Sequence, residues 1–161
     1  MQLGNIVIHD PKTMGWHEEH QFTPWLMENI HLLGSVLGID IDPDSRQREV
    51  MVGRYIADIV AQETATGRTI IVENQLRNSD HSHLGQLLTY AAGTKGSIIV
   101  WVCHQLRDEH HQVLDWLNSQ IKEVSFFGVE LKVISVDNSR PAIEFILKAR
   151  PPEWEETSAA A

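Results

Sequence analysis

The sequence has little cysteine and no long apolar run. Cys103 is the single cysteine in 161 residues, which excludes a framework of disulfides. It lies in the apolar stretch 97–103, so we expect a buried thiol. No stretch reaches the roughly 20 apolar residues of a membrane-spanning helix, and the N-terminus lacks a basic and then apolar signal segment. These absences predict a cytoplasmic protein that has no membrane partner.

Several catalytic motifs are also absent. The chain has neither the GxxxxGK[ST] phosphate loop nor the GxGxxG dinucleotide loop. It has no GxSxG elbow, and Cys103 lies within a strand pattern, away from an obvious activating base. NTPase, dinucleotide-dependent and acyl-transfer activities are therefore disfavoured.

Positive charge is scarce. The chain has 13 Lys and Arg against 22 Asp and Glu, a net charge of −9. Proteins that hold nucleic acid by its phosphates usually present a basic surface, and this composition does not supply one globally. A bound cation, a second protomer or a further domain would offset part of the excess.

The length and composition are those of one globular domain. The chain is 42% hydrophobic and 22% charged, which is ordinary for a folded protein. We expect one domain over residues 1–150. Residues 151–161 lack a packing pattern and are predicted to be a tail, or a linker to a further domain in a longer natural chain.

The most informative stretch is 54–75, which predicts a hairpin of two apolar strands, 54–62 and 69–75. Gly67 suits the left-handed position of the connecting turn. Asp58 and Glu73 lie among apolar neighbours, one on each strand. Burying a carboxylate is costly unless a positive group meets it. Two such acids on adjacent strands indicate a hard divalent cation held by oxygen ligands.

The rest of the chain predicts alternating helices and strands. Thr23 and Pro24 suit the start of a helix. Asp80 or Ser79 suits the cap of another. Apolar periodicity and turn signals place helices at 24–37, 80–92 and 107–122, and strands at 6–8, 39–42, 48–52, 97–103, 124–136 (interrupted at 127–128) and 143–149.

This arrangement resembles the PD-(D/E)XK nuclease superfamily. Asp58 matches the acid of its first motif, and Glu73-Asn74-Gln75 matches its (D/E)-x-K motif. The helix after them is similar to that of bacterial nuclease-like proteins of the DUF4268-associated group. The resemblance covers residues 22–154. It implies an α/β fold with a restriction-endonuclease-like αβββαβ core, in which helices flank a central mixed sheet.

The resemblance also implies an activity and a site. It implies a nuclease that cleaves phosphodiester bonds with Mg²⁺ or Mn²⁺, held by Asp58, Glu73 and the backbone carbonyl of Asn74. Glu28 on the first helix is either a further acid of the site or an ordinary solvated acid. Gln75 stands where the superfamily usually has Lys, and Gln cannot act as a base near neutral pH. We therefore expect Gln75 only to orient water or phosphate.

Polar residues of the following helix are candidates for substrate binding: His81, His83, Gln86 and Tyr90. A zinc site is the competing interpretation of the histidines His81, His83, His110 and His111. Their spacing is not that of a zinc helix, and no cysteine pair accompanies them. A surface location for most of these histidines explains the pattern equally well.

Two functions remain open at this level. One is an active nuclease, with DNA a more probable substrate than RNA and a homodimer as the expected assembly. The other is a catalytically inactive nuclease-fold module that binds nucleic acid or a protein. The acids Asp58 and Glu73 favour the first function, whereas Gln75 and the net charge of −9 favour the second.

Overall fold

A computed structural model describes residues 1–154, without the side chain of Glu19. Within these residues, seven strands form one mixed sheet in the order β1-β6-β5-β4-β3-β2, and β7 pairs with the free edge of β6. The strands are β1 (Ile6–His9), β2 (Gln47–Val52), β3 (Tyr55–Gln62), β4 (Thr69–Asn74), β5 (Ile98–Cys103), β6 (Ser125–Val136) and β7 (Ala142–Ala149). The α-helices are α1 (Thr23–Glu28), α2 (Ile30–Leu37), α3 (His81–Gly93) and α4 (Asp108–Gln120).

The predicted fold class is confirmed. The chain order α2, β2, β3, β4, α3, β5 is the expected αβββαβ core. β3 and β4 form the predicted antiparallel hairpin and lie inside the sheet, while β4, β5 and β6 run parallel to one another. Parallel strands need helical crossovers, and α3 and α4 provide them.

Both faces of the sheet are covered, and this explains the apolar sequence of β5. All six residues of β5 are buried, as expected of a parallel strand with helices on both sides. One core cluster joins the sheet to α1 and α2. The other joins it to α3 and α4 and contains Cys103, a buried free thiol as predicted.

β6 determines where the N-terminal segment lies. Its first residues pair with β5, and its last four pair with β1. Because residues 128–134 pair with β7 along the opposite edge, β1 and β5 follow each other along a single edge of β6. β1 therefore lies beyond the carboxyl end of β5. The chain leaving β1 is thus carried to the edge of the sheet where β4 and β5 end.

The predicted helix 24–37 is interrupted. α1 ends at Glu28, and Asn29 has a non-helical backbone with φ −113° and ψ 26°. The Asn29 side chain donates to the Trp25 carbonyl oxygen at 2.9 Å, in the way that Asn competes with the helical backbone. Thr23 is not the predicted cap, because it is helical and its hydroxyl donates to Asn74 Oδ1 at 3.2 Å. A π-helical turn, Glu18–Phe22, precedes α1.

Three other predictions need correction. Residues 39–42 form only an isolated bridge, between Ile41 and Glu63. β6 is continuous, and the irregularity expected at 127–128 is a shift of register with β7 between Gly128 and Val129. In the predicted tail, Trp154 packs on Phe127 and donates from Nε1 to the Leu37 carbonyl oxygen at 2.6 Å. The rest of that tail, 155–161, lies outside the described residues.

Among residues 1–154, none of the helices has the length and apolar character needed to cross a bilayer.

Two glycines offer a matched test of the packing. A Cβ on Gly128 would lie 2.7 Å from Leu106 Cδ2 and 3.2 Å from Ala149 Cβ. Gly128→Ala should therefore lower the free energy of unfolding by about 1–3 kcal/mol through overpacking. A Cβ on Gly85 of α3 would meet nothing within 4 Å, so Gly85→Ala should raise it by up to about 1 kcal/mol. Urea unfolding of both variants measures the difference, and equal effects would contradict this packing.

Candidate functional site

Asp58 and Glu73 lie side by side on neighbouring strands. The register pairs Ile59 with Val72 and Val60 with Ile71, so its continuation brings Asp58 opposite Glu73. Asp58 is half-buried, and its Oδ2 accepts a hydrogen bond from the Asn74 backbone N–H at 2.8 Å. This bond ties the first acid to the strand that carries the second.

Glu73 has an unusual environment for a carboxyl group. Its exposed fraction is 4%, and its buried Oε2 has no hydrogen-bond partner. Burial, and then repulsion from Asp58, raises the pKa of Glu73 from 4.5 to about 9. Without a cation nearby, this carboxyl therefore holds a proton at neutral pH.

Glu18 is a third acid close to this pair. It lies on the π-helical turn before α1, and its Oε1 accepts from the Leu76 backbone N–H at 2.8 Å. Its negative charge adds to the rise in the pKa of Glu73. The predicted third acid, Glu28, is instead exposed at the end of α1. Among the described residues, Glu28 does not contribute to the raised pKa of Glu73, whereas Asp58 and Glu18 do.

Gln75 is held in place from both ends of its amide. It is 1% exposed, and its Nε2 donates to the Asn78 carbonyl oxygen at 2.8 Å and to Asp80 Oδ2 at 3.2 Å. Its Oε1 accepts from Trp101 Nε1 at 2.7 Å. Both N–H bonds are therefore already used, which differs from the expectation that Gln75 orients water or phosphate.

Asp80 and His83 form an oriented pair facing Glu73. Asp80 caps α3, and its Oδ1 lies 2.8 Å from both the backbone nitrogen and Nδ1 of His83. These bonds hold the pKa of Asp80 below its usual value even though its partial burial opposes them. A carboxylate only accepts hydrogen bonds, so Nδ1 carries the proton. His83 Nε2 is left facing Glu73 Oε1 at 3.9 Å.

The other two residues predicted on this helix have different environments. Tyr90 is fully buried, and its hydroxyl donates to the Ile56 carbonyl oxygen at 2.8 Å. Burial first, and then the charges of Glu73 and Asp58, raise the pKa of Tyr90. Tyr90 thus packs behind the acids and is not on an exposed polar face. Gln86 is half-buried on α3, and no described contact joins it to Glu73.

The histidines do not assemble into the four-ligand zinc set. His110 is buried between Ser79 and His81, with Nδ1 2.6 Å from Ser79 Oγ and Nε2 2.9 Å from His81 Nδ1. Burial, followed by the charge of His81, lowers the pKa of His110. His111 turns instead toward Asp115 at 3.5 Å. Of these histidines, His83 is the one that faces the paired acids.

The surroundings of Asp58 and Glu73 determine whether these acids suit a divalent cation. Within the described residues, no group of three or more His, Cys, Asp or Glu is arranged to hold a metal ion. The carboxylates of Asp58 and Glu73, the second with an unpartnered buried Oε2, still match the oxygen ligands that Mg²⁺ and Mn²⁺ prefer. The Asn74 side chain bonds Thr23, so only its backbone carbonyl stays a candidate ligand. The residues present therefore fit a hard divalent cation.

Two functional candidates were missed by the sequence analysis. Asp80 was expected only to cap α3. His83 follows it by three residues, and at that spacing a capping side chain can also bond the side chain of the later residue. Glu18 carried no such signal. Its position depends on β1 pairing with the far end of β6, a contact between distant parts of the chain.

Comparisons with known proteins bear on the fold. No protein family model and no curated protein matches the chain. Its structure is similar to a repair endonuclease from Pyrococcus abyssi, with a TM-score of 0.50 and 16% identity over 71% of this chain. The chain has a nuclease-like fold. It spans 48% of the length of that endonuclease.

Two weaker likenesses follow. The structure of the EndoMS–dsDNA2 complex matches with a TM-score of 0.49 and 19% identity, over 70% of this chain and 44% of the other. Pyrococcus furiosus SfsA in complex with Ca²⁺ matches with a TM-score of 0.36 and 18% identity, over 78% of this chain and 59% of the other.

The raised pKa of Glu73 predicts a pH-dependent stability. In EDTA, the wild type should lose stability relative to Glu73→Gln as pH rises from about 5 to about 9, because unfolding releases the proton that the folded site retains. The slope should reach up to about 1.4 kcal/mol per pH unit. Urea unfolding across this range measures it. Glu123→Gln, at an exposed acid away from the site, is the control, and parallel curves for all three proteins would contradict the prediction.

Proposed function

We propose that this protein is a divalent-metal-dependent nuclease that cleaves phosphodiester bonds, with DNA as the preferred substrate. One observation carries the proposal. Glu73 is buried beside Asp58 with an unpartnered oxygen, in a chain whose fold is similar to that of a repair endonuclease. Such a pair destabilises the folded protein unless a cation joins it, so a functional role explains its presence better than a structural one.

Asp58, Glu73 and the backbone carbonyl of Asn74 are the proposed ligands of Mg²⁺ or Mn²⁺, and Glu18 is close enough to influence them. When bound, such an ion supplies positive charge to the phosphate and lowers the pKa of water. These side chains contribute oxygen atoms and negative charge. Glu28, exposed at the end of α1, has no role in this proposal.

His83 is proposed to take the proton of the attacking water. The Asp80 bond fixes its tautomer and leaves Nε2 as the acceptor, directed at the acids. As the water oxygen bonds to phosphorus, its proton moves to Nε2 and the bond to the leaving ester oxygen breaks. Gln75 has a supporting role, because its amide holds Asp80 and Trp101 in place.

The inactive nuclease-fold module remains the second candidate, and one observation favours it. Gln75 brings no positive charge where the superfamily usually has Lys, and its amide is already engaged. Such a module would bind nucleic acid or a protein without cleaving it. The homodimer rests on the resemblance alone and also stays a proposal.

The first test is cleavage. In a panel of single- and double-stranded DNA and RNA, linear and circular, DNA should be cut in preference to RNA with Mn²⁺ or Mg²⁺, and all substrates should remain intact in EDTA. Glu73→Gln should abolish cutting, and calorimetry should show that Asp58→Asn weakens Mn²⁺ binding by about tenfold or more. Glu123→Gln should match the wild type in both assays. Mn²⁺ binding without cleavage would favour the inactive module, and equal Mn²⁺ affinity in Asp58→Asn would remove Asp58 from the site.

A second test isolates His83. His83→Ala should lower kcat by about 10²–10⁴-fold, the usual contribution of a general base. Mn²⁺ affinity should stay close to that of the wild type, and added imidazole should restore part of the rate. His111→Ala, on the surface of α4 beside Asp115, is the matched control. Loss of Mn²⁺ binding in His83→Ala, or equal rates in both variants, would contradict the proposed role.

A further inference from the structure

A cavity of about 560 Å³ lies at the edge of the sheet where β4 and β5 end. Its lining is rich in basic and polar groups: Lys12, Arg77, Asn78, Ser79, Asp80, His81, Arg107, Glu109 and His110. Lys12, Arg77 and Asp80 also line the neighbouring cavity, which contains Glu18, Gln75 and His83. The two cavities are therefore contiguous.

The basic side chains of this cavity keep their charge available, because acids of the described residues do not pair with them. Within the described residues, no ion pair joins Lys12, Arg77 or Arg107 to a carboxylate. Arg107 donates one N–H, from Nε, to the Ser79 carbonyl oxygen at 3.1 Å, and Arg77 is exposed. By contrast, Lys148 pairs with Glu130. In a chain of net charge −9, three unpaired cations at one cavity form a local positive surface.

The backbone adds to this positive character. α4 begins at Asp108 with no side-chain cap. The His110 N–H bonds the Arg107 carbonyl oxygen, which leaves the N–H groups of Asp108 and Glu109 for an anion, although both of these residues are acids. Two carboxylates also line the cavity. Asp80 is engaged by His83 and Gln75, whereas Glu109 opposes an anion. The balance of charge still favours an anion, because three cations line the cavity against two carboxylates.

We propose that this cavity binds a phosphate group of the nucleic-acid strand whose cleavage is proposed above. Arg77 and Arg107 hold its oxygens, and Lys12 closes the cavity from the N-terminal segment. The inference rests on the proposed function for the identity of the ligand, since the neighbouring cavity contains Glu18 and His83. The phosphate is either a terminal monoester or an internal diester of the strand, and both present the same anionic oxygens.

The first experiment needs no nuclease activity. Inorganic phosphate at constant ionic strength should raise the Tm of the wild type and leave that of Arg77→Gln/Arg107→Gln unchanged. Both arginines are exposed, so the variant is expected to fold. Lys95→Gln is the matched control, because Lys95 is exposed at the opposite end of β5. Loss of the phosphate effect in the double variant alone supports the cavity, and an equal rise in all three proteins overturns it.

The second experiment identifies the source of the phosphate. Short single-stranded DNA, with and without a terminal phosphate at either end, is titrated in EDTA against Glu73→Gln and against the same protein carrying the arginine substitutions. The cavity should contribute about tenfold or more in affinity, and each lost contact should lower the slope of log affinity against log salt by about 0.7. A loss confined to the phosphorylated strands assigns a terminal monoester, whereas an equal loss for all strands assigns an internal diester.

Two results separate this inference from the proposed function. Arginine-dependent DNA binding by a wild type that cuts no substrate would refute the nuclease and keep the cavity. Normal cleavage and normal DNA affinity in the arginine variant would refute the cavity and keep the nuclease.

Discussion

The costly contact in this molecule is the burial of Glu73 next to Asp58. Burial and the charge of Asp58 keep the Glu73 carboxyl neutral. Neighbouring groups fix the surroundings of this pair. The buried Tyr90 bonds the Ile56 carbonyl oxygen, Asp80 orients His83, and the Asn74 N–H donates to Asp58. Apolar burial on both faces of the sheet supplies the stability that tolerates this arrangement.

The sequence was sufficient for the order of elements, because each depends on local pattern. Alternating apolar residues and Gly67 define the β3–β4 hairpin, and Asp80 caps α3 as its position suggests. The break at Asn29 was missed because the apolar stripe continues through it. The break depends on the hydrogen bond from the Asn29 side chain to the Trp25 carbonyl oxygen, which an apolar pattern does not encode.

The site was less predictable than the fold. The pairing of Asp58 with Glu73 follows from strand register, so a pattern of period two could anticipate it. The roles of Glu18 and Gln75 depend on partners distant in sequence, since Glu18 binds the backbone of Leu76 and Gln75 binds Trp101. No local spacing encodes such contacts. Net charge averages over the surface, so it could not reveal that Lys12, Arg77 and Arg107 line one cavity.

The pairing of β1 with the last residues of β6 has a consequence for folding order. Ile6 pairs with Val136, so a growing chain cannot position its N-terminal segment until most of the domain has been synthesised. Closing so large a loop is slow compared with forming the β3–β4 hairpin. The paired acids can therefore be set early, while Glu18 and Lys12 reach them late. A nascent chain would hold an incomplete site until its last strands are in place.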